Sequence, residues 1–434
     1  MKNVIIFVNA VRPATFAALD MFERQTGRTF EPVVLVDEKI RESISACNGQ
    51  DRLPRPVSVV CADFSSAESI RSALKPYEGR IFAVTSQYEN SVAELQKLVP
   101  YFPYLPMPTE RSLTWATEKK LMRKMLEAYD ASLVPGYMEV PNASAATIAN
   151  VEAQLHYPMI VKPSGLEGSL LVSMVQNRED LQSTLEYTFA EIQKGYNTWI
   201  KRQKPAILVE EFMEGDMYSV DTYVAADGTC CHTPPAKVVT GRKVGFDDFF
   251  GYQRITPAGL DAENYALAQA TAEKACHALG LRAVTGHVEL MKTPRGWKVI
   301  ELGPRIGGYR HDIYNLSYGI NHIVNDIRNR AGEVPEVPSD VLAHTVVFNI
   351  YARKEGVLES IDGLETVKAL PSFVSVRQLL FLGDEARFAK NNGDPVFEVI
   401  LSNADETQFL ADIATLEREL VLGVRRISRA RQTA

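Results

Sequence analysis

From the start of the chain to about residue 100, short apolar runs alternate with amphipathic segments. The apolar runs VIIFVNA, PVVLVD, VSVV and IFAVTS predict strands, and the segments between and after them predict helices near 14–26, 38–46 and 66–75 and from about 90. Strands that alternate with helices pair in parallel, which predicts a doubly wound half-sheet. No G-x-G-x-x-G follows the first strand, so a dinucleotide is disfavoured there. The turn at 87–90 follows the last strand, at the edge where such sheets place ligands.

A proline-rich segment at 101–110 interrupts this alternation and is interpreted as a linker. The pattern beyond it predicts a lysine-bearing helix over 116–129, the strand PMIVKP, the loop SGLEGS, the strand LLVSMV and a helix over 178–194. AILVEEFMEGDMYSVDTYVAA predicts strands around a glycine turn, and 232–259 predicts a long loop because it is rich in Pro, Gly and charge. Asp261 and Gly280 bound a predicted helix over 262–279.

The segment GHVELMKTPRGWKVIELGPRIGG, at 286–308, predicts a hairpin that closes at TPRG. If Thr293 faces Trp297, Glu289 lies directly opposite Glu301. Like charges that face each other destabilise a sheet, because their Cβ atoms are only about 5 Å apart. The register therefore predicts a cation between the two glutamates.

The remainder of the chain predicts a helix over about 320–330 and a second linker at GEVPEVPSD. Strands near 344–351, 373–381 and 395–401, with a helix near 405–420, predict a small α+β lobe. The basic end, at 425–434, is interpreted as a solvated tail with no binding role.

Composition narrows the class of protein. The chain has 434 residues, 46% hydrophobic and 23% charged, which is typical of a soluble protein of about two to four domains. A formal net charge of -7 gives no electrostatic reason to expect nucleic acid as a partner. The five cysteines are scattered without a C-x-x-C pair, so we expect reduced thiols in the cytoplasm. No apolar run approaches the ~20 residues of a membrane span, and no membrane partner is expected.

Paired carboxylates on one sheet face suit two kinds of chemistry. They can form a general acid–base pair if their environments separate their pKa values, or they can bind a metal ion. Mg²⁺ takes one or two carboxylates and completes its shell with phosphate oxygens and water, so a nucleotide is its natural companion. The alternative is that Glu289 and Glu301 are exposed on a solvated face of the hairpin.

Arg305, Gly307 and Gly308 follow the second carboxylate. An arginine fork suits a transferred phosphoryl group or an oxyanion, and glycines let the backbone approach a ligand closely. Alternatively, Arg305 neutralises the glutamates in a structural ion pair. Lys162 emerges from a strand beside SGLEGS, where a lysine and loop amides can bind phosphates. A lysine there can also be simple surface charge, and the motif G-x-x-x-x-G-K-[ST] is absent from the sequence.

Several separated pieces occur in one order along the chain: EKKLMRKML, IVKPSGLEGS, LVEEFMEGDMYSVD, HVEL and VIELGPRIGG. This ordered set resembles the ATP-grasp superfamily, and within it the carboxylate–amine ligases such as L-amino-acid ligases and carnosine-synthase-like enzymes. The resemblance implies an α/β and α+β fold. Its parts would be a Rossmann-like domain at 1–105, a two-lobed ATP-grasp domain at 106–335 with a lid at about 135–205, and a C-terminal lobe at 336–424.

The resemblance also implies a set of site residues. ATP would lie between the lobes and contact Lys119, Lys162, Ser164, Gly168, Ser169, Glu210, Glu211, Phe212 and Met213. Glu289 and Glu301 would bind Mg²⁺, with Mn²⁺ as a substitute, and Arg305 would be the catalytic residue that faces an acyl phosphate. The substrates would contact Glu89, Gly307, Gly308, Arg310 and His311, although the segment around Arg310 can also be an ordinary polar loop.

The implied reaction joins a small-molecule carboxylate to an amine at the expense of ATP, in a protein that can form a homodimer. Two alternatives stay open: an ATP-grasp ligase of purine or carboxylase type, and a nucleotide-binding regulator with lapsed catalysis. Three departures from the family pattern bear on this choice. Gly303 replaces an asparagine of the metal site, Met217 replaces a ribose-binding glutamate, and Glu167 adds negative charge to the phosphate loop.

Overall fold

The computed structural model describes residues 2–40, 57–166, 169–198 and 206–426. The N-terminal elements are β1 (Val4–Val8), α1 (Ala14–Thr26), β2 (Glu31–Asp37), β3 (Ser58–Ala62), α2 (Ala67–Leu74), β4 (Ile81–Thr85) and α3 (Val92–Leu98). Their strands pair in parallel in the order β3-β2-β1-β4, and apolar side chains cover both faces. The predicted doubly wound half-sheet is confirmed. Most of the helix predicted at 38–46 falls outside the described residues.

The next elements build a second sheet with helices against it. They are α4 (Glu110–Thr117), α5 (Lys119–Tyr129), β5 (Tyr137–Val140), α6 (Ala145–Gln154), β6 (Met159–Pro163), β7 (Ser173–Val175), α7 (Arg178–Thr198) and β8 (Ile207–Glu211). The order is β5-β8-β6-β7, and these pairs are antiparallel. The helix predicted over 116–129 is confirmed as α5, but it begins at Lys119 and not at 116. The Thr109 side chain caps an earlier helix, and Glu118 is extended, so α5 starts afresh.

The third group of elements contains the hairpin. It consists of β9 (Asp216–Val224), β10 (Cys230–His232), β11 (Ala236–Thr240), β12 (Gly251–Thr256), α8 (Ala262–Ala278), β13 (Val284–Thr293), β14 (Gly296–Gly303), α9 (Arg310–Tyr318) and α10 (His322–Arg330). The loop predicted at 232–259 is wrong, because β11 and β12 lie within it and pair with each other. The helix α8 is confirmed, and the Asp261 side chain caps it by accepting from the Asn264 amide.

The C-terminal elements extend the sheet of the third group. They are β15 (His344–Ile350), β16 (Gly356–Asp362), α11 (Leu364–Lys368), β17 (Phe373–Gln378), β18 (Glu385–Ala386), β19 (Phe397–Asn403), α12 (Glu406–Glu419) and β20 (Val421–Arg425). The large sheet has the order β14-β13-β9-β11-β12-β15-β19-β17, while β18, β16 and β20 form a small one. A domain boundary near residue 335 therefore crosses one continuous sheet, and the domain limits stay a proposal. Residues 427–434 of the predicted tail lie outside the described residues.

Helix α10 joins the N-terminal sheet to the large sheet. Ile323 and Ile327 pack in the core against one face of the N-terminal sheet. The buried carboxylate of Asp326 accepts hydrogen bonds from Thr85 Oγ1 at the end of β4 and from Thr285 Oγ1 in β13, both at 2.6 Å. The carboxyl end of β4 and the hairpin β13–β14 are thereby brought together, and the candidate site lies where they meet.

The predictions on membrane spans and on cysteines can be compared with the structure. No helix in the described part of the chain combines the length and the apolar composition that crossing a membrane requires. The thiols of Cys61, Cys230, Cys231 and Cys276 are free, while Cys47 lies outside the described residues.

Candidate active site

The hairpin β13–β14 places two glutamates opposite each other. Glu289 is the ladder partner of Glu301, as the sequence predicted. A β-bulge between Glu289 and Leu290 produces this register, because a bulge sets two residues of one strand against one residue of its partner. The side chains of Glu289 and Glu301 are 29% and 30% exposed, so both carboxylates are accessible from solvent.

The turn that closes the hairpin differs from the predicted one. Thr293 faces Gly296 and not Trp297. The Thr293 hydroxyl accepts a hydrogen bond from the Arg295 amide at 3.1 Å and donates to the Gly296 carbonyl at 2.7 Å. This tighter loop shifts the pairing of the two strands by one residue from the predicted register. The bulge restores the predicted register at Glu289 and Glu301. The glutamates therefore face each other for a different reason from the predicted one.

Cationic groups surround the glutamate pair. Lys119 Nζ lies 3.2 Å from Glu301 Oε2, and His287 Nε2 lies 3.5 Å from Glu289 Oε1. Burial alone would raise the pKa of Glu289, but the hydrogen bond from His287 and the charges of Arg310 and Arg305 lower that pKa to about 2. Glu289 is therefore ionised at neutral pH and available to a cation.

The glutamate pair fits the donor set that Mg²⁺ takes in nucleotide sites. Within the described residues, no three histidines, cysteines, aspartates or glutamates come together as a metal-binding cluster. A structural zinc site would need four such ligands, whereas Mg²⁺ uses one or two carboxylates and takes its other ligands from phosphate and water. The pair is therefore suited to an ion that arrives with a nucleotide.

A buried ion cluster connects α5, β6, β8 and β14. Lys162 Nζ lies 2.8 Å from Glu210 Oε2, and Arg123 donates to both oxygens of that carboxylate, at 2.8 and 3.0 Å. Arg123 also donates to the carbonyl of Ile300, at 2.8 Å. Burial would raise the pKa of Glu210, but Arg123 and Lys162 lower it to about 2. Burial, followed by the charge of Arg123, lowers the pKa of Lys162 to about 8.

Lys119 and Ser164 are tied together at the start of α5. The Lys119 amide donates to the Ser164 carbonyl at 3.1 Å, and the Lys119 ammonium donates to the Leu166 carbonyl at 2.6 Å. A small cleft opens here, and Lys119, Glu301 and Glu89 contribute to its lining. One lysine of the predicted phosphate site and one glutamate of the predicted metal site therefore share a cleft.

The rest of the predicted phosphate loop is described only in part. Glu167 and Gly168 lie outside the described residues. Ser169 has a left-handed backbone with φ of 61°, and its carbonyl accepts from the Val172 amide at 3.1 Å. The roles of Gly168 and Ser169 in phosphate binding stay predictions.

The residues predicted to hold adenine lie at and just after the end of β8. The Glu210 side chain belongs to the buried ion cluster, and the amides of Glu211 and Phe212 donate at 2.9 and 3.0 Å to carbonyls that precede β5 and β6. Both amides already donate hydrogen bonds within the protein. The backbone of Met213 is therefore the better candidate for a hydrogen bond to adenine. Asp216, which precedes Met217, lies 3.3 Å from Lys243 Nζ.

Glu89 reaches the site from the N-terminal sheet. Its Oε2 lies 2.8 Å from Nε of Arg305. A Cβ atom at Gly303 would lie only 2.6 Å from the same oxygen. A side chain at position 303 would therefore displace Glu89, which explains a glycine where the family pattern has an asparagine. The predicted substrate residue Glu89 and the predicted catalytic residue Arg305 form one ion pair.

The glycines after β14 form a tight turn against β9 and β13. The Gly307 amide donates to Asp221 Oδ2 at 2.7 Å. A Cβ atom at Gly307 would lie 2.5 Å from Cγ of Arg310 and 2.6 Å from Nδ1 of His287, so a side chain cannot fit there. A Cβ atom at Gly308 would meet nothing within 4 Å. Gly308 therefore borders open space, where a substrate can approach the backbone.

Arg310 and His311 start helix α9 beside this turn. Arg310 is only 1% exposed, and it donates from Nε and Nη2 to Ser219 Oγ, at 3.0 and 2.7 Å. His311 Nδ1 is buried without a hydrogen-bond partner among the described residues. Burial, followed by the charges of His322 and Arg12, lowers the pKa of His311 to about 4. His311 is therefore neutral at physiological pH.

Sequence reasoning missed the acid at the centre of the site, Asp221 in β9. It accepts from His287 Nδ1 at 2.5 Å and from His322 Nε2 at 2.6 Å. Burial would raise the pKa of Asp221, but the two histidines keep it well below its usual value. His287 also approaches Glu289, so Asp221 fixes the orientation of the histidine that contacts this glutamate. Residues behind the ligands of a metal site commonly orient them in this way. The available signal was an aspartate within the alternating strand MYSVDTYV.

Two arginines near the glycine turn were also missed. Arg12 follows β1, at the ligand-binding edge of the half-sheet, and its Nη1 donates to the Gly307 carbonyl at 3.4 Å. Arg254 lies in β12, within the segment predicted as a loop, and its guanidinium carbon is 4.9 Å from the centre of the Tyr309 ring. The position of Arg12 after a strand was a usable signal, whereas that of Arg254 was hidden by the wrong loop assignment.

Comparison with known proteins identifies the fold around this site. Residues 155–312 match the protein family described as "ATP-grasp domain". The chain contains an ATP-grasp domain. This match includes Lys162, the hairpin and the glycine turn, whereas Lys119 lies before its first residue.

Relatives of the ATP-grasp domain include ligases. The uncharacterized protein y4rH of Sinorhizobium fredii is 27% identical over 302 residues, which are 68% of this chain and 59% of that protein. A D-alanine–D-alanine ligase of Streptococcus pneumoniae is 27% identical over 177 residues, 39% of this chain and 46% of the ligase. The chain therefore spans roughly half the length of these relatives. The L-amino acid ligase of Bacillus licheniformis shares the fold, with a TM-score of 0.76 over 98% of this chain and 99% of that one, at 20% identity.

Proposed function

We propose that the protein is an ATP-dependent carboxylate–amine ligase that forms ADP by way of an acyl phosphate. The observation that carries the proposal is the pairing of Glu289 with Glu301 inside the ATP-grasp domain, with Lys119 beside Glu301. The ligases among the relatives of this domain support the same reaction class.

In this reaction, a carboxylate oxygen of the first substrate attacks the γ-phosphorus of ATP, and the bond from that phosphorus to ADP breaks. The amine nitrogen of the second substrate then attacks the acyl carbon. Phosphate leaves with the electron pair of its bond to carbon, and the nitrogen releases a proton to solvent. Phosphoryl transfer requires mainly positioning and charge neutralisation from the protein, and charged groups are what the site offers.

Each charged residue has a role in this scheme. Lys119 and Lys162 bind phosphate oxygens, and Arg305 stabilises charge on the acyl phosphate and on the oxyanion of the second step. Glu289 and Glu301 bind Mg²⁺, for which Mn²⁺ can substitute, and the bound ion supplies positive charge to the phosphates. His287 orients Glu289 while Asp221 orients His287.

We further propose that the substrates are small: an amino acid or similar carboxylic acid, and an amine. The free, scattered cysteines favour a cytoplasmic location. The large sheet ends in the edge strands β14 and β17, and open sheet edges are compatible with a homodimer.

The alternative of a regulator with lapsed catalysis rests on Gly303, Met217 and Glu167. Gly303, which replaces a metal-binding asparagine of the family pattern, has another explanation. Because Glu89 occupies the space beside Gly303, the glycine belongs to a rearranged site and does not indicate a decayed one. The residues Lys119, Lys162, Glu289, Glu301 and Arg305 are all present.

Release of phosphate from MgATP, in the presence of pooled amino acids and organic acids, tests the proposal. We expect release that requires a carboxylate and reaches full turnover only when an amine is added. Bound ATP without release from any pool would overturn the ligase. Release that depends on bicarbonate alone would indicate a carboxylase-type or purine-type reaction instead.

Glu301→Gln and Glu139→Gln provide a matched pair of variants for this assay. Both glutamates pair with neighbouring lysines of α5, Glu301 with Lys119 at 3.2 Å and Glu139 with Lys120 at 3.0 Å. Only Glu301 is assigned to the metal, so Glu301→Gln should lower kcat by at least about 100-fold, while Glu139→Gln should keep the wild-type rate. Equal rates in the two variants would show that the metal assignment is wrong.

A further inference from the structure

Three arginines surround the turn formed by Gly307, Gly308 and Tyr309. Arg12 Nη1 donates to the Gly307 carbonyl at 3.4 Å, and Arg310 Nη1 donates to the Gly308 carbonyl at 3.1 Å. The guanidinium carbon of Arg254 lies over the Tyr309 ring, 4.9 Å from its centre. These arginines come from the segment after β1, from α9 and from β12. Guanidinium groups from three parts of the chain therefore lie at one turn.

The charges of these arginines are not matched by carboxylates. Among the described residues, the hydrogen-bond acceptors of Arg12, Arg254 and Arg310 are carbonyls and one serine hydroxyl, and none of the three forms an ion pair. Two other arginines nearby are paired, Arg305 with Glu89 and Arg377 with Glu398. Arg310 is buried, and Arg12 and Arg254 are partly buried. A cation withdrawn from water without a counter-charge is costly, so an anionic ligand is expected at the turn.

The electrostatic environment supports the same expectation. Burial lowers the pKa of Arg254, and the charge of Arg310 lowers it further. Burial and then the charge of Arg305 lower the pKa of Arg12. Arg310 therefore repels Arg254 in the protein without substrate, and a bound anion would relieve that repulsion.

The acids around the turn already have other partners. Asp221 accepts from two histidines and from the Gly307 amide. Glu289 is the acid whose charge acts on both Arg254 and Arg310, and in the proposed function it binds Mg²⁺. Asp312 acts on Arg12. Once Glu289 is engaged by a metal, neither Arg254 nor Arg310 has a carboxylate partner among the described residues.

Gly308 provides the space for a ligand. A Cβ atom there would meet nothing within 4 Å, whereas at Gly307 it would collide with Arg310 and His287. The Gly308 carbonyl accepts a hydrogen bond from Arg310, and Arg254 lies over the ring of the next residue, Tyr309. Both arginines therefore contact the turn that borders this open space.

We propose that one of the two substrates carries a dianionic group in addition to the atoms that react, and that Arg254 and Arg310 bind this group beside Gly308. The group is either a pair of carboxylates, as in an acidic amino acid that serves as the amine, or a phosphate monoester. Guanidinium forks recognise both kinds of oxyanion by paired hydrogen bonds. This inference rests on the proposed ligase function, since it names the substrate class of that same site.

Matched acids test the inference through phosphate release from MgATP. The pairs are aspartate with asparagine, glutamate with glutamine, and phosphoserine with serine, each added with the pooled co-substrates. We expect kcat/KM to be at least about 10-fold higher for the acidic member of one pair. Preference for phosphoserine indicates the phosphate group, and preference for aspartate or glutamate indicates paired carboxylates. Equal or better use of every neutral member would overturn the inference and leave the ligase proposal intact.

Variants of Arg254 test whether this arginine causes the preference for the acidic substrate. Arg353 resembles Arg254, because its guanidinium carbon lies 4.6 Å from the Phe246 ring centre and its Nη1 donates to a backbone carbonyl, but it is exposed. Arg254→Gln should abolish the preference for the acidic member and keep MgATP binding, whereas Arg353→Gln should behave as wild type. Arg254→Lys should retain part of the preference. Equal preference in Arg254→Gln and wild type would contradict the assignment.

Binding without turnover separates this inference from the ligase proposal. The melting temperature of the full chain is measured with each acid and with its neutral partner, without ATP. We expect the favoured acid to stabilise the wild type and Arg353→Gln but not Arg254→Gln. If no pool releases phosphate, the ligase proposal fails, and this measurement still decides whether the arginines bind a dianion. Equal stabilisation by acid and neutral partner would overturn the inference.

Discussion

Lys162 shows how one residue's surroundings set its chemistry. Its ammonium group is buried beside Glu210 and near Arg123, and burial followed by the Arg123 charge lowers its pKa to about 8. Below that pH the group is charged and can bind phosphate oxygens. Above it, ATP must bind together with a proton, so affinity for the nucleotide becomes dependent on pH.

We predict that the dissociation constant of MgATP rises as pH increases above about 8, by at most about 10-fold per pH unit. Calorimetry in buffers with different ionisation enthalpies should also detect proton uptake on binding at high pH. Arg stays charged throughout this range, so Lys162→Arg should lose both effects. An unchanged pH dependence in Lys162→Arg would assign the titration to another group.

Gly303 and Glu89 form a second pair whose roles depend on each other. A Cβ atom at position 303 would lie 2.6 Å from Glu89 Oε2. This oxygen is at the end of a flexible side chain, so it can turn away at little cost in stability. The movement would separate Glu89 from Arg305, which it now approaches to 2.8 Å.

We predict that Gly303→Ala leaves the melting temperature nearly unchanged and lowers kcat/KM by about 10-fold. Glu89→Ala should have a similar effect, and the double variant should be no worse than Glu89→Ala alone, because both changes remove one interaction. Kinetics of the four proteins measure this coupling. Additive losses would mean that position 303 does not act through Glu89.

At the scale of elements, the buried ion cluster joins α5, β8 and β14. Arg123 is fully buried and donates to both oxygens of Glu210 and to the Ile300 carbonyl. Removing one member of such a pair leaves a buried charge without compensation, which costs about 3–5 kcal/mol.

We therefore predict that Glu210→Gln lowers the stability of the ATP-grasp domain by about that amount. The control is Glu365→Gln, because Glu365 forms an exposed pair with Lys368, and exposed pairs contribute little. Urea unfolding of both variants measures the difference. Similar midpoints for the two variants would contradict a stabilising role of the cluster.

Local signals explain which elements were predictable. The helix α1 ends at Gly27 in a left-handed conformation, and α8 starts at the capping side chain of Asp261, so both helices were predicted closely. The strands β11 and β12 carry no such signal. They are short, and β12 also pairs with β15, which lies far away along the chain.

The site residues also differ in whether a local sequence signal relates them. Glu289 and Glu301 belong to one hairpin, so their pairing could be predicted even though the turn was wrong. Asp221 and Arg254 lie on neighbouring parts of the large sheet but far apart in sequence, and no spacing in the sequence relates them to Gly307. The sequence therefore predicted the metal-binding half of the site better than the half that contacts substrate.

At the scale of the whole molecule, the candidate site is assembled from every part of the fold. Glu89 comes from the N-terminal sheet, Lys162 from the antiparallel sheet and Arg310 from α9. The C-terminal segment contributes Glu398, which accepts a hydrogen bond from the Tyr309 hydroxyl. The continuous large sheet and the bridging carboxylate of Asp326 fix the N-terminal and C-terminal parts in place. Arg123 joins the antiparallel sheet to β14 through Glu210 and the Ile300 carbonyl.

Trapping with hydroxylamine is the most direct test of an acyl-phosphate ligase at this site. The protein is incubated with MgATP, the carboxylate found in the pooled assay, and hydroxylamine in place of the amine. We predict hydroxamate and ADP in equal amounts in the wild type and neither product in Glu301→Gln. ADP without hydroxamate, or AMP and pyrophosphate in place of ADP, would contradict the acyl phosphate.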